Sequence, residues 1–147
     1  MKIAIGSDHR GYKLKEFLKE KLSISHTVKD FGTFSEESCD YPDVAIPLAE
    51  SVAKGEFDFG ILICYTGIGM SIAANKVKGI RAAHVTDERF AIMSRKHNNA
   101  NVICLPGGFI KEEEALNAVV SFLETEFEGG RHQRRIEKIR QYEEKAK

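Results

Sequence analysis

Cys64 is the side chain in this sequence best suited to nucleophilic or acid–base chemistry. It ends the apolar run FGILIC (59–64) and is followed at once by YTGIGM, where Gly67 and Gly69 interrupt the chain. A buried strand, a glycine turn and a helix start predict backbone N–H groups that face an anion. The adjacent helix start also favours a thiolate. The alternative is a core cysteine beside glycines that only form a tight turn.

Polar side chains suited to proton transfer or phosphate binding occur in three other segments: Asp8 and His9, His97 and Asn98, and Arg131 and Arg135. The first pair follows a predicted strand, where parallel α/β sheets bind their ligands, or it caps the next helix. The second pair ends a predicted helix, so it can serve as a C-cap, as a proton-transfer site, or as both. The two arginines share a helix face, which suits either a phosphate site or ordinary basic surface.

Three phosphate-site motifs are incomplete in this sequence. GSDHRGYK has P-loop glycine spacing, but Tyr12 stands where the lysine is required. GIGMSI begins like a dinucleotide fingerprint, but Ile72 occupies the third glycine position. A cysteine phosphatase that used Cys64 would need an arginine at the position of Met70. These three functions are therefore disfavoured.

The composition limits the class of protein. The 147 residues suit one domain, and the net charge of +0, from 22 basic and 22 acidic residues, argues against broad nucleic-acid or membrane-surface binding. Three cysteines without a C-x-x-C pair argue against a disulfide framework or a structural zinc site. The N-terminus lacks a signal-peptide pattern, and no segment approaches the roughly 20 apolar residues of a membrane span. We therefore expect a cytoplasmic protein.

Short apolar runs alternate with amphipathic segments along the chain. The predicted strands are KIAIGS, TVKDFG, FDFGILIC, GIRAAHV and ANVICLPGG. The predicted helices are GYKLKEFLKEKL, about 44–53, GMSIAANKV, DERFAIMSRKH with Asp87 as N-cap, and EEEALNAVVSFLETEF. This alternation predicts an α/β fold, a three-layer α/β/α sandwich with a five-stranded parallel Rossmann-like sheet. The order of the strands stays open.

The last two helical segments raise separate expectations. The fifth helix is expected to bury one face, made by Leu116, Val119, Val120, Leu123 and Phe127. The C-terminal extension, about 129–147, has only a thin apolar stripe made by Ile136, Ile139 and Tyr142. Because so narrow a stripe buries little against its own domain, we expect this helix to pack on a partner subunit.

Five segments together resemble the RpiB-type ribose-5-phosphate isomerases: GSDHRGYKLK, DYPD, ILICYTGIGMSIAANK, SRKHNNANV and EGGRHQRR. The match runs in order from Lys2 to about Arg135, and five agreeing motifs are far more specific than one. The wider family includes galactose-6-phosphate and allose-6-phosphate isomerases. The resemblance implies a single sugar-phosphate isomerase domain over residues 1–147.

The resemblance also implies a reaction. It is the interconversion of ribose 5-phosphate and ribulose 5-phosphate through an enediolate, a step of the pentose phosphate pathway, without a metal or other cofactor. Allose 6-phosphate or galactose 6-phosphate is the alternative substrate. A phospho-sugar-binding module without catalysis is a second alternative, which the joint presence of Cys64, Thr66 and His97 disfavours.

The resemblance assigns roles residue by residue. Cys64 is expected to be the base, Thr66 to assist proton transfer at a sugar oxygen, and His97 to help open the sugar ring. Backbone amides of the glycine loop are expected to bind the enediolate oxygen. The implied substrate-binding residues are Asp8, His9, Tyr41, Asp43, Tyr65, Gly67, Ile68, Gly69, Met70, Ser71, Asn98, Gly108, Arg131 and Arg135.

The resemblance further implies a homodimer whose active sites are shared between subunits, with a dimer of dimers as a further possibility. Two positions depart from the family pattern. Tyr65 stands where glycine is usual, and Gly108 stands where many members have a phosphate-binding arginine. Arg10, where a small residue is common, is a candidate to compensate. These departures leave the preferred sugar length open.

Overall fold

The computed structural model describes residues 1–146 and contains five strands and six α-helices. The strands are β1 (Lys2–Ser7), β2 (Thr27–Asp30), β3 (Phe59–Cys64), β4 (Ala82–His84) and β5 (Val102–Pro106). The helices are α1 (Tyr12–Leu22), α2 (Pro42–Ala53), α3 (Ile68–Asn75), α4 (Glu88–Asn98), α5 (Glu112–Glu124) and α6 (Arg131–Lys145). A short 3-10 turn, His9–Gly11, separates β1 from α1. No helix within residues 1–146 is both long enough and apolar enough to cross a bilayer.

All strand pairs are parallel, and the order across the sheet is β2-β1-β3-β5-β4. Side chains alternate along β3, so Ile61 and Ile63 enter a core under α1, α4 and α5. Leu62 and Cys64 enter the opposite core, under α2 and α3. The predicted three-layer sandwich with a five-stranded parallel sheet is therefore confirmed.

The strand order has a direct consequence for function. From β1 the chain moves to β2 at one edge of the sheet, whereas from β3 it moves the other way to β4 at the opposite edge, and β5 then lies between β3 and β4. The loops that leave β1 and β3 consequently diverge and open a crevice at the carboxyl edge of the sheet. That crevice lies between Asp8, which follows β1, and Cys64, which ends β3.

The buried face of α5 differs from the predicted one. Val120 is 37% exposed, and Phe127 lies beyond the end of the helix. The residues that enter the core are Ala115, Ala118, Val119, Phe122 and Leu123. The prediction assigned the larger aliphatic residues to the buried face. In the structure, Ala115, Ala118 and Phe122 also point inward, where the sheet approaches the helix closely.

The C-terminal helix α6 buries its first turns against its own chain. His132 and Ile136 are buried, whereas Ile139 and Tyr142 remain 52% and 73% exposed. The Gly79 N–H also donates to the Glu143 side chain at 3.2 Å. The thin apolar stripe is thus divided, and only its distal half is available to a partner. Lys147, the predicted end of the extension, lies outside the described residues.

A buried lysine fastens α1 to the carboxyl end of β2. Lys15 is fully buried, and its Nζ lies 2.6 Å from Asp30 Oδ2. Asp30 Oδ1 accepts from the Gly32 N–H at 2.8 Å, and the Gly32 carbonyl accepts from the Ser7 N–H at 2.6 Å. Burial opposes ionisation of Asp30, but the donors Lys15, Gly32 and Lys19 outweigh it and lower its pKa. This chain of bonds fixes the end of β1, just before Asp8.

We predict that Asp30→Ala lowers the free energy of unfolding by about 2 kcal/mol or more at pH 7, because it leaves the buried Lys15 charge poorly compensated. The pKa of Asp30 is lower in the folded than in the unfolded chain, where it is about 3.9. Its contribution is therefore fully present above that value and is lost as the pH falls below it. Denaturant titrations at pH 7 and pH 3 measure both effects.

A matched control is Glu36→Ala, which removes an exposed carboxylate 3.7 Å from Lys13. This change should stay within about 0.5 kcal/mol. An Asp30→Ala protein as stable as the Glu36→Ala protein at pH 7 would contradict the prediction.

Candidate active site

The sulfur of Cys64 lies where a strand passes into a helix. Cys64 is 5% exposed, and the Gly67 N–H donates to its Sγ at 3.2 Å. An N–H donor at the sulfur stabilises negative charge there, as does the nearby start of α3. Cys104 provides the contrast, because burial, with a smaller effect from Cys64, raises the pKa of its thiol. Of these two thiols, Cys64 is the one placed for chemistry.

The amides of the glycine loop fall into two groups. Gly67 donates to Cys64, Ile68 donates to Thr66 Oγ1 at 3.2 Å, and Ser71 donates to the Gly67 carbonyl at 3.1 Å. The amides of Gly69 and Met70 have no acceptor among residues 1–146. These two are first-turn amides of α3, which a helix leaves unpaired. Unpaired amides at a helix start can bind an anion. Met70 could contribute only its backbone, because its side chain is fully buried.

Gly67 is fixed in place by both conformation and space. Its φ of +79° is left-handed, and a Cβ there would lie 3.0 Å from both the Leu105 carbonyl carbon and His84 Cδ2. His84 in turn bonds the Thr66 carbonyl through Nε2 at 2.7 Å. Since a carbonyl only accepts, that nitrogen carries the proton. The imidazole at the end of β4 therefore holds the turn that places an N–H on Cys64.

Asp8 and His9 stand at the neighbouring strand end, as predicted. The Asp8 N–H donates to the Ile63 carbonyl at 3.1 Å, which ties the two strand ends together. Asp8 Oδ1 accepts from the N–H groups of Arg10 and Gly11, so Asp8 does cap the 3-10 turn. His9 Nδ1 accepts from the Cys39 N–H at 3.3 Å, which leaves Nε2 as its donor.

Tyr41 and Asp43 lie at the start of α2. The Tyr41 ring covers Gly69 so closely that a Cβ on that glycine would lie 2.8 Å from it. Asp43 is exposed in the first turn of α2. Tyr41 therefore forms a wall of the crevice beside the unpaired amides, and Asp43 lies two residues further along.

Tyr65 and Gly108 meet on the other side of the crevice. The Gly108 N–H donates to the Tyr65 carbonyl at 2.9 Å. The Tyr65 ring occupies the space above Gly108, where a Cβ would lie 2.2 Å from Cε1. The two departures from the family pattern are thus one packing arrangement.

His97, Asn98, Arg131 and Arg135 do not join this group in a single chain. They lie where α4 and α6 approach the opposite edge of the sheet. Asn101, three residues after α4, accepts the N–H of Gly60 near the amino end of β3 at 3.0 Å. Cys64 lies four residues further along that strand, or about 13 Å away. One copy of the chain therefore separates the two halves of the predicted site.

The amino-edge group contains a residue that the sequence analysis missed. His132 stacks on His97 with ring centroids 4.4 Å apart and 15° between the planes. Its Nε2 is buried, lies 3.5 Å from Glu128 Oε1 and has no hydrogen-bond partner within residues 1–146. Desolvation, the nearby His97 and the Arg131 charge lower the pKa of His132, which favours its neutral form. His132 thus supports the face of His97.

Among residues 1–146, His97, Glu128 and His132 form the only group of three or more side chains close enough to share a metal ion. Ligand atoms of His97, Glu128 and His132 lie within 4.8 Å of one another. Near-parallel stacked imidazoles direct their lone pairs side by side, whereas a tetrahedral ion needs lone pairs that converge. The arrangement suits a packed histidine pair better than a metal centre.

A local sequence motif marks His132, but none marks His84. His132 lies between the arginines in GGRHQRR, so that motif is the signal for it. His84 has no local signal, because its contact depends on β4 running beside β5 near the turn after β3. A contact of this kind can be predicted only when the order of the strands in the sheet is known.

We predict that His84→Ala loosens the turn, because the Thr66 carbonyl loses its donor. A net loss of about 1 kcal/mol corresponds to roughly fivefold faster amide hydrogen exchange at Gly67 and Ile68. His84→Gln retains a donor and should exchange more slowly than His84→Ala. Equal exchange in wild type and His84→Ala, measured by mass spectrometry, would exclude this role.

Comparison with known proteins identifies the chain's relatives. A family model described as Ribose/Galactose Isomerase matches residues 3–139. The structure of ribose-5-phosphate isomerase B from Clostridium thermocellum is 50% identical, with a TM-score of 0.98 and coverage of 100% of both chains. The Mycoplasma genitalium ribose-5-phosphate isomerase B with bound ribulose-5-phosphate is 47% identical, with a TM-score of 0.94, over 99% of this chain and 97% of that one.

A further relative differs in the substrate that its name gives. The D-erythrulose-4-phosphate isomerase of Pectobacterium atrosepticum is 43% identical over 100% of this chain and 98% of the relative. All these relatives are sugar-phosphate isomerases that match over nearly their whole length. This chain therefore belongs to the ribose/galactose isomerase family and is an aldose–ketose isomerase.

Proposed function

We propose that this protein interconverts ribose 5-phosphate and ribulose 5-phosphate through an enediolate. The observation that supports this most directly is the Cys64 sulfur, which accepts the Gly67 N–H close to the unpaired amides of Gly69 and Met70. A base and an oxyanion site side by side are what proton transfer next to a carbonyl requires.

In this mechanism the Cys64 thiolate removes the proton from C2 of the open-chain aldose. The electron pair of the C2–H bond forms a C1=C2 double bond, the carbonyl π electrons move to O1, and the enediolate results. The amides of Gly69 and Met70 bind the developing oxyanion, and each such donor contributes about 3 kcal/mol. Cys64 then returns the proton to C1, where the C1=C2 electron pair forms the new C–H bond, and the carbonyl forms at C2.

The reaction also moves a proton from O2 to O1, and we assign this step to Thr66. Its Oγ1 accepts the Ile68 N–H, so the hydroxyl proton is free to donate to a sugar oxygen. We also propose that Tyr41, Asp43, Asp8 and His9 bind the sugar.

Two copies of the chain are proposed to complete each site. His97 and Cys64 lie at opposite edges of one sheet, so a single copy cannot bring an acid for ring opening to the base. A homodimer that faces the carboxyl edge of one copy with the amino edge of the other would join them. Asn98, Arg131 and Arg135 would then enter from the partner as sugar and phosphate ligands. The exposed distal half of α6 is the proposed contact with that partner.

The extent of the domain, the cellular location and the length of the sugar are inferred from the same features. We propose one isomerase domain over the chain, and a cytoplasmic location agrees with the three free cysteines. Ribose 5-phosphate is the first choice because two similar solved structures are ribose-5-phosphate isomerases B. A six-carbon phosphate is the second choice, and a four-carbon phosphate follows from the erythrulose-4-phosphate relative. A substrate panel separates these sugars.

We predict that Cys64→Ala loses at least about a hundredfold in turnover of ribose 5-phosphate, the scale expected for a general base. A coupled assay without added metal measures this loss. The matched control is Cys104→Ala, which removes a fully buried thiol outside the crevice. Equal loss in both variants, or none in Cys64→Ala, would contradict the role of Cys64.

We also predict complementation between two inactive variants. Cys64→Ala and His97→Ala chains, exchanged into mixed dimers, rebuild one intact site out of two. An equal mixture contains about half mixed dimers and should therefore recover about a quarter of wild-type activity. Native mass spectrometry of differently tagged chains verifies the exchange. Mixed dimers that form but stay inactive would show that both residues act from one chain.

A further inference from the structure

Arg10, Tyr65 and Phe109 form one exposed cluster at the rim of the crevice, here called the rim cluster. The Arg10 guanidinium carbon lies 4.1 Å from the centroid of the Tyr65 ring. The Tyr65 and Phe109 rings meet edge to face, with centroids 5.0 Å apart and 61° between the planes. Each contact has the geometry that favours it, cation over face and ring edge against ring.

Gly108 is the floor of the rim cluster. Because the Tyr65 ring occupies the space that a Cβ at 108 would need, no side chain can extend from 108 while the ring stays there. Arg10 is the positive charge that the rim cluster brings to this side of the crevice.

The Arg10 charge is uncompensated. Within residues 1–146 no carboxylate lies within 4.0 Å of its guanidinium, and its side chain donates no hydrogen bond. Lys13, three residues along, does pair with a carboxylate, at 3.7 Å from Glu36. Stacking on Tyr65 limits the rotamers of Arg10 and leaves the edge of its planar fork free for an anion.

The backbones of Arg10 and Cys64 come close to each other at the carboxyl edge of the sheet. A Cβ on Gly107 would lie 3.3 Å from the Cys64 carbonyl oxygen and 3.4 Å from that of Arg10. Both backbones thus approach one point at the carboxyl edge of the sheet. From there the Arg10 side chain extends onto the ring of Tyr65, the residue that follows Cys64.

We propose that Arg10, held on the Tyr65 ring above Gly108, binds the phosphate group of the substrate. The proposal rests on the proposed function for the identity of the sugar, but the anion site stands on the rim cluster itself. Tyr65 is then a positioning residue, because it acts on the phosphate through Arg10. Arg10 would hold the phosphate together with the proposed partner ligands Arg131 and Arg135, and the position of the rim cluster would then bear on the length of sugar that fits.

The test compares Arg10→Gln with Lys13→Gln, which removes a nearby exposed charge that is already paired. We expect Arg10→Gln to weaken binding of inorganic phosphate, measured by calorimetry, by about tenfold or more. The KM for ribose 5-phosphate should rise by a similar factor, with a much smaller change in kcat. Lys13→Gln should alter neither value.

Tyr65→Gly tests the positioning role. It should raise KM by less than Arg10→Gln does, and the double variant should resemble Arg10→Gln alone, because both changes act on one interaction. Fully additive effects would mean that Tyr65 acts independently of Arg10. That result would overturn its positioning role.

The two proposals fail separately. If Arg10→Gln binds phosphate as tightly as wild type while wild type turns over ribose 5-phosphate, the phosphate role of Arg10 is wrong and the proposed function stands. If wild type is inert on ribose 5-phosphate yet Arg10→Gln loses phosphate binding, the anion site stands and the proposed substrate is wrong.

Discussion

A parallel sheet keeps the two ends of its strands apart, and this separation governs how the chain can form an active site. The crossover through α4 returns the chain to the amino edge before β5 begins, so residues that end α4 cannot reach the residues that end β3. Cys64 and His97 lie on the two sides of this division. Because the division follows from strand direction, side-chain rotation cannot remove it. Only a second copy, or a reaction that needs one edge alone, is compatible with it.

At the carboxyl edge of the sheet, backbone geometry positions the N–H groups around Cys64. Gly67 takes a left-handed φ and fits against Leu105 and His84, and in that position its N–H meets the Cys64 sulfur. The same turn leaves the amides of Gly69 and Met70 unpaired at the start of α3. Their orientation is set by the fold, so no reorganisation is required when charge develops on a substrate.

Much of this arrangement is readable from the sequence, for physical reasons. Apolar runs and helical periodicity are local, so the strands, helices and the Asp87 cap follow from neighbouring residues. The glycines after Cys64 indicate a turn, because turn formation also depends on neighbouring residues. The buried face of α5 was predicted less well, since local periodicity does not tell which side approaches the sheet, and Ala115 and Phe122 were overlooked.

Contacts between distant segments lie beyond such reasoning. The strand order, the bond from His84 to Thr66, and the stack of His132 on His97 join segments 18 or more residues apart. Sequence comparison with a family marks Tyr65 and Gly108 as two separate departures. Only their positions in space show that the ring of one fills the space above the other.

The packing of the Tyr65 ring above Gly108 affects which side chains can contact a substrate at this rim of the crevice. An arginine at 108 and an aromatic ring at 65 compete for the same volume, so one excludes the other in this geometry. Once the ring is present, its face becomes a support for a cation from the 3-10 turn, and Arg10 occupies it. With the phosphate role proposed for Arg10, the positive charge would lie after β1 rather than after β5, while Cys64 and its neighbouring amides stay fixed. The positions of Cys64 and its neighbouring amides are set by the backbone, whereas the rim cluster consists of three exposed side chains that can vary together.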